Sequence, residues 1–268
     1  MTMDFEALKQ RSQRTWAAGD YSAVGGNLLL MSELLCEAVD LRAGSRVLDV
    51  ATGSGNTALA AARRWCEVTG IDFVPALIER AKERAAAERL PITFQEGDAE
   101  NLAFPTASFD VVLSSVGVMF APDQVQAARE LLRVCRAGGK IGVTAWTPRS
   151  FLAQLPRLIA PYIPPRAPTP SAMAWGTEAR VRELLGDGVA SLQATPRQFV
   201  FRFRSPQHFV DVFRHTFGPV MSAFRALDET KQEQLARDIV DELHRHNRSG
   251  DETLVMPCEY LEVVAVKK

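Results

Sequence analysis

Between Arg46 and Trp146 the chain alternates short apolar runs with helix-length segments, and this rhythm restricts the fold more than any other feature. The runs are RVLDV (46–50), EVTGIDF (67–73), ITFQEGD (92–98), FDVVLSS (109–115) and KIGVTAW (140–146). Between them lie TALAAARR, PALIERAKERAAAER and DQVQAARELLRVCR, each with the composition of a helix. Pro75 suits a first helical turn, and Asp123 sits where an acid favours the helix dipole. Leu131, Leu132 and Val134 supply an apolar side for the third helix. Near-continuous apolar strands in series with helices specify a mostly parallel sheet covered on both faces.

The flanks are less regular. Residues 4–17 and 27–40 read as helices separated by a polar, glycine-bearing turn, AAGDYSAVGGN. After the core, FLAQLPRLIAPYI reads as helical and PPRAPTP as a stiff, exposed loop. WGTEARVRELLGDG follows as a short helix, capped by Thr177 and stopped at Gly186 or Gly188. SLQATPRQFVFRF alternates as a strand, and SPQHFVDVFRHTFG is a helix with Ser205 as cap and Pro206 in its first turn. A long helix over ALDETKQEQLARDIVDELHRHNRSG and a final strand, TLVMPCEYLEVVAVKK, complete the chain. The expectation is a single domain over 1–268. It comprises an N-terminal helical cap (1–41), a ligand-binding core (42–146), cover helices with a sixth strand (147–252), and the last strand (253–268).

Composition narrows the function. With 268 residues, 47% of them hydrophobic, there is material for one large core. A formal net charge of -1 excludes a strongly basic, nucleic-acid-coating surface. The charged N-terminal segment argues against a signal peptide, and no run approaches the length of a membrane span, so a cytoplasmic location is expected. Cys36, Cys66, Cys135 and Cys258 are widely spaced without a CxxC pair, which favours buried free thiols. Between Thr147 and Gln207 eight arginines face three acids, a local surplus inside a neutral chain.

The sharpest motif is VLDVATGSGNTALAAA at 47–62. Gly53 and Gly55 fall between an apolar strand and a helix, where backbone must come close to a ligand. Gly53-x-Gly55-x-x-Ala58, with Asp72 at the end of the next strand, satisfies a dinucleotide fingerprint, so an NAD(P)-dependent oxidoreductase is one reading. Three features point elsewhere: Asp49 inside the first strand, Asp98 in GDAENLAF at the end of the third, and the small and apolar residues finishing FDVVLSSVGVMF. A ligand with an adenosine, an amino acid and a sulfonium uses all three.

On these residues the chain resembles the class I S-adenosylmethionine-dependent methyltransferases, in the broad group related to the ubiquinone and menaquinone biosynthesis enzymes (methyltransferase type 11). The family segment D-x-G-x-G-x-G stands here as Asp49-Val-Ala51-Thr-Gly53-Ser-Gly55, with Ala51 in place of the first glycine. The resemblance is strong over 46–146 and generic after about 147. It implies a Rossmann-like α/β fold: a seven-stranded, mostly parallel sheet with an antiparallel last strand and a helical cover over the active-site end. It also implies that Ala51, Gly53, Ser54 and Gly55 approach the methionine part of the cofactor. Asp72 would then take the ribose hydroxyls and Phe73 would lie against adenine. Asp98 would take the adenine amino group with Ala99 alongside, and Ser115 and Val116 would face the acceptor.

The expected reaction is methyl transfer by in-line displacement to an oxygen, nitrogen or carbon of a small, partly apolar molecule. A protein that binds the cofactor without turnover is a non-enzymatic alternative. Tyr21, in WAAGDY, is the first choice for contact with the cofactor's carboxylate or methyl region. Trp16, Met119, Phe120, Trp146 and Trp175 are candidates for the acceptor pocket. His208 and His215, two turns apart on one helix, are candidate bases. Arg180, Arg182, Arg202 and Arg204 are candidates for attracting an acidic acceptor, against ordinary solvated arginines. No metal site, nucleic acid or membrane partner is expected, and the chain would act as a monomer or homodimer.

Overall fold

The computed structural model describes residues 4–164 and 170–268, so most of the PPRAPTP loop, with Arg166, lies outside the described residues. Three helices come first: α1 (Phe5–Ala17), α2 (Tyr21–Gly25) and α3 (Leu29–Ala38). The core alternates β1 (Arg46–Val50), α4 (Asn56–Ala62), β2 (Glu67–Asp72), α5 (Pro75–Glu88) and β3 (Ile92–Glu96). It continues through β4 (Phe109–Ser115), α6 (Gln124–Val134) and β5 (Cys135–Trp146). Then come α7 (Leu155–Ile159), α8 (Glu178–Leu185), β6 (Val189–Phe203), α9 (Pro206–Thr216), α10 (Gly218–Arg225), α11 (Glu229–His246) and β7 (Leu254–Lys267).

All seven strands form one sheet in the order β3-β2-β1-β4-β5-β7-β6, with β7 antiparallel to both neighbours. The expected sheet is therefore present. One face carries α3, α4 and α5 through Leu35, Leu59, Ile78 and Ala81, all buried. The other carries α6 and the later helices through Leu131, Val181, Phe209, Phe213 and Leu235. Strand order reverses at β1, which pairs with β2 on one side and β4 on the other. A crevice opens at the carboxyl ends of strands where such a reversal occurs.

Local chemistry explains most boundaries. Asp123, Thr177, Ser205 and Asp228 each accept a hydrogen bond from a backbone N–H of the first turn they cap. Four segments differ from the sequence-based expectation. The AAGDYSAVGGN stretch is not an open turn, because Asp20 caps α2 within it. β5 starts at Cys135 rather than at 140, with a register shift against β4 that absorbs the glycine pair at 138–139. FLAQLPRLIAPYI is a broken series of short helical turns, since Pro156 and Pro161 interrupt it. GPVMSAFR is a separate helix, α10, started by Pro219 after the chain turns at Phe217. The four cysteines are free and buried. No helix among the described residues is long and apolar enough to cross a membrane.

Candidate active site

After Val50 the chain leaves β1 through Ala51, Thr52, Gly53, Ser54 and Gly55 before α4 begins. Ala51, Gly53 and Gly55 all take left-handed conformations, with φ of 54, 56 and 90°. Gly53 and Gly55 do so without a Cβ penalty, whereas Ala51 bears one of roughly 1 kcal/mol. Val116, just beyond β4, has φ 51°, a strained value for a β-branched residue. Strain of this kind clusters where a site dictates backbone shape. Ala51, Gly53 and Val116 all line a narrow cleft at the carboxyl ends of β1, β2 and β4.

Two buried carboxylates organise that loop. Asp72, ending β2, accepts from the Gly53 N–H and the Val74 N–H, each at 2.9 Å. Asp49, inside β1, accepts through Oδ2 from Thr52 Oγ1 at 2.5 Å and from the Ala58 N–H at 2.9 Å. Its other oxygen, Oδ1, is buried and has no hydrogen-bond partner. An orphaned carboxylate oxygen is costly, and although Asp49 lies beneath the cleft lining rather than in it, its charge favours a cation bound above the loop. Burial pushes Asp49 up to about 7, with a further push from Asp72. Asp72 is pushed up to about 6, again by burial.

The far wall of the cleft is acidic and capped. Asp98 accepts from Lys9 Nζ at 2.6 Å, and Glu100 receives the same ammonium at 2.8 Å. Lys9 stands on α1, which also holds on through Gln13, whose side chain donates to the Phe73 carbonyl at 2.5 Å. Phe73, Leu77 and Ala99 supply apolar surface between the two acids. With Lys9 and Tyr21 folded over it, the cleft holds about 70 Å³ of free space. Typical ligand pockets hold roughly 300–1,000 Å³, so the cleft is narrow with α1 and Tyr21 in place.

A second cavity of about 400 Å³ adjoins the first. Its walls include Leu152, Leu155 and Ile159 beside α7, Phe213 on α9, and Val220 and Ala223 on α10. Trp16, Tyr21, Val116 and Phe120 line both cavities and form the passage between them. Trp16 packs edge-on against Tyr21 and Phe120, with ring centroids 5.4 and 4.8 Å away.

The structure thus gathers Trp16, Tyr21, Ala51, Gly53, Asp72, Phe73, Asp98, Ala99, Val116 and Phe120 around the first cavity, and Trp146 at the second. It does not bring the other candidates there. Ser54 and Gly55 shape the loop from behind, while Ser115 Oγ pairs with Thr144 Oγ1 at 2.9 Å. Met119 is core, and Trp175 is fully buried with its indole N–H unpartnered. His208 and His215 line neither cavity. His208 Nδ1 accepts from the Arg204 N–H, and exposed His215 pairs with the Asp211 carbonyl oxygen. Neither ring reaches the site, because α9 turns its phenylalanines inward.

The arginine surplus is also answered locally. Arg180 pairs with Glu183, Arg182 with Glu178, Arg197 with Glu262 and Arg149 with Glu259. Arg202 and Arg204 are exposed, and none of the described arginines lines either cavity. Sequence reasoning missed Lys9, Leu77, Glu100 and Gly117 in the cleft, and the whole α10 wall. GDAE carried a signal for Glu100, and the glycine after Val116 a signal for Gly117. Nothing local marked Lys9 apart from its helix neighbours. Among the described residues no cluster of three or more metal-ligating side chains occurs.

Comparison with known proteins agrees with this architecture. The family described as "Methyltransferase domain" matches residues 47–139, the span of the glycine loop and both cleft acids. An uncharacterised protein of Mycobacterium tuberculosis is 37% identical over 278 residues, covering 100% of both chains. A demethylmenaquinone methyltransferase of Deinococcus radiodurans is 41% identical over 105 residues, 38% of this chain and 44% of that one. In fold, the chain is similar to the crystal structure of a putative methyltransferase from Bacillus halodurans. The TM-score is 0.61 at 17% identity, with 88% of this chain and 98% of that one covered. The glycine loop, the paired carboxylates at the strand reversal and the matched domain lead to one assignment: the chain belongs to the class I S-adenosylmethionine-dependent methyltransferases.

Proposed function

We propose that the methyl acceptor is a small, apolar molecule seated in the second cavity, and that transfer occurs at the passage walled by Trp16, Tyr21, Val116 and Phe120. The observation that carries this reading is that these four residues line both cavities, so a donor in one meets an acceptor in the other. The Ala51 carbonyl would receive the cofactor's ammonium, with the orphaned Asp49 Oδ1 buried beneath the loop as the nearby counter-charge. Asp72 spends one lone pair of each oxygen on backbone N–H groups and keeps the others for ribose hydroxyls. Phe73, Leu77 and Ala99 would flank the adenine, with Asp98 at its amino edge once Lys9 releases it.

When bound, the cofactor supplies a methyl carbon already activated by the positive sulfur to which it is attached. The protein is left with alignment and the exclusion of water. Trp16 and Phe120 keep water out of the passage, and the aromatic hydroxyl of Tyr21 orients what enters it. The likeness to demethylmenaquinone methyltransferases covers too little of the chain to carry their acceptor over to this one.

Filling the second cavity tests the reading. Ala223→Trp, on α10, is expected to lower turnover of apolar acceptors by about 100-fold or more. Binding of S-adenosylhomocysteine should stay within about twofold, because the two cavities are separate walls of one site. Calorimetric titration and release of S-adenosylhomocysteine measure the two quantities. Undiminished turnover in that variant would remove the second cavity from the reaction.

The cleft acids set a pH dependence. The raised values of Asp49 and Asp72 exceed the roughly 3.9 of an unfolded carboxyl, so the fold prefers their neutral forms. The stability this confers is complete at low pH and lost as pH rises through the folded values. A cation held at the Ala51 carbonyl, above buried Asp49, draws the proton off that carboxyl, so cofactor affinity should rise with pH. The expected slope is at most about tenfold per unit between roughly pH 5.5 and 7, with a plateau above about 8. Calorimetry in buffers of different ionisation heat measures affinity and proton release together; a flat affinity and no proton release contradict the assignment of Asp49.

A further inference from the structure

We infer that the acceptor is an apolar thiol or phenol that ionises on its own, and that Tyr21 positions it without deprotonating it. The inference rests on the second cavity being the acceptor site. Every described side chain lining that cavity is apolar or aromatic, and its side-chain polar atoms are the Tyr21 hydroxyl and the indole N–H groups of Trp16 and Trp146. Residues 165–169, Pro-Arg-Ala-Pro-Thr, contain no acid, histidine or lysine.

Among the described lining residues, those with charged side chains all belong to the first cavity. Lys9, Asp72, Asp98 and Glu100 line only the first cavity, where Lys9 is tied to both acids of the far wall and Asp72 to the glycine loop. Asp20, beside Tyr21, turns back to cap α2 through Ser22. From α9, His208 and His215 point elsewhere, and Arg214 lies over the Phe224 ring. From β7, Glu262 is held by Arg197. Burial, reinforced by Asp72, holds the Tyr21 phenol far above its ordinary range, so it neither ionises nor takes a proton near neutrality.

This environment sorts acceptor chemistries. An aliphatic amine arrives protonated and finds no base. An alcohol finds no base either. A carboxylate or phosphate elsewhere on the buried part would keep, before and after transfer, a charge that the sulfonium does not cancel and the apolar walls do not pair. A thiol or an acidic phenol gives its proton to water before it is enclosed. Its anionic sulfur or oxygen then forms a bond to the methyl carbon while the bond from that carbon to the cofactor sulfur breaks. The electron pair stays on that sulfur, and two opposite charges become two neutral products. Low polarity favours such a charge-cancelling step.

The probes are 2-naphthalenethiol, 2-naphthol and 2-naphthylmethylamine. One readout needs no turnover: the absorbance titration of 2-naphthol bound to protein loaded with S-adenosylhomocysteine. Its midpoint is expected above the value in buffer by about one pH unit or more, because the described lining residues offer the anion no cation. With S-adenosylmethionine, kcat/KM should rise about tenfold per pH unit to a break that follows each probe's own pKa. Tyr21→Phe should lower kcat/KM by about tenfold or less and leave both breaks in place.

A break shared by thiol and naphthol would reveal a protein base and overturn the inference. So would a naphthol midpoint below the buffer value, or an amine methylated faster than the thiol. Failure of S-adenosylhomocysteine to bind overturns the cofactor reading beneath it. If S-adenosylhomocysteine binds while thiol and naphthol are neither bound nor methylated, this inference falls and the cofactor reading stands.

Discussion

Asp72→Asn is expected to weaken S-adenosylhomocysteine binding by about 100-fold or more while leaving the protein folded. The native carboxylate receives two backbone N–H groups, one from Gly53 and one from Val74. An amide offers one oxygen and one NH₂, so one of those donors would face another donor. Each charge-assisted hydrogen bond lost is worth about 1.5–3 kcal/mol, and a carboxylate is no longer there for the ribose hydroxyls. The fold itself should suffer little. Burial already disfavours the ionised Asp72, so removing its charge near neutral pH relieves one cost as it introduces another. Calorimetric titration and thermal unfolding separate the two effects. Affinity within about threefold of the native protein would show that Asp72 does not organise the cofactor loop.

Gly176→Ala is expected to act in the opposite way, on stability first. An added Cβ would overlap the Trp146 carbonyl oxygen and lie 2.6 Å from the Thr147 Cα. That backbone cannot retreat, because Trp146 pairs with Tyr260 in the β5–β7 ladder and the Thr147 N–H donates to the Glu259 carbonyl. The neighbouring Trp175 is 0% exposed and cannot swing outward without opening the core. Overlap with fixed backbone costs about 3 kcal/mol or more, which lowers Tm by about 6–12 °C in a domain of this size. Gly26→Ala is the control. Its Cβ would meet nothing within 4 Å and its φ is -55°, so Tm should hold or rise slightly. Equal losses in the two variants would refute the packing argument.

The difference between these two sites reflects how each was legible. Asp72 stands at the end of a strand, a fixed distance along the chain from Gly53 and Gly55, and that spacing is a consequence of one strand–helix–strand unit. Gly176 carries no such signal: its need for hydrogen in place of a methyl arises from β5, which passes thirty residues earlier in the chain. The histidines make the same point in reverse. His208 and His215 do share a helix face, but helical spacing says only that they point together. Phe209 and Phe213, buried at 1% exposure each, decide which way α9 turns. Four arginines of the 147–207 stretch likewise form ion pairs, two of them with Glu259 and Glu262 on β7, 110 and 65 residues away in the chain.

The sheet, its helices and the cofactor loop were within reach of local reading, because period, caps and glycine placement act over a few residues. The seven-stranded sheet with an antiparallel last strand needed the family resemblance as well, since strand order is not a local property. The acceptor side was a matter of assembly. Lys9 meets Asp98 and Glu100 across some ninety residues, α10 supplies a wall that no motif announced, and the apolar character of the described residues lining the second cavity appears only when they are brought together. A cofactor held by one continuous segment leaves its mark in spacing. A cavity enclosed by α1, α7, α9 and α10 is set by which apolar faces are most stable against one another, and that is decided only when the chain is folded.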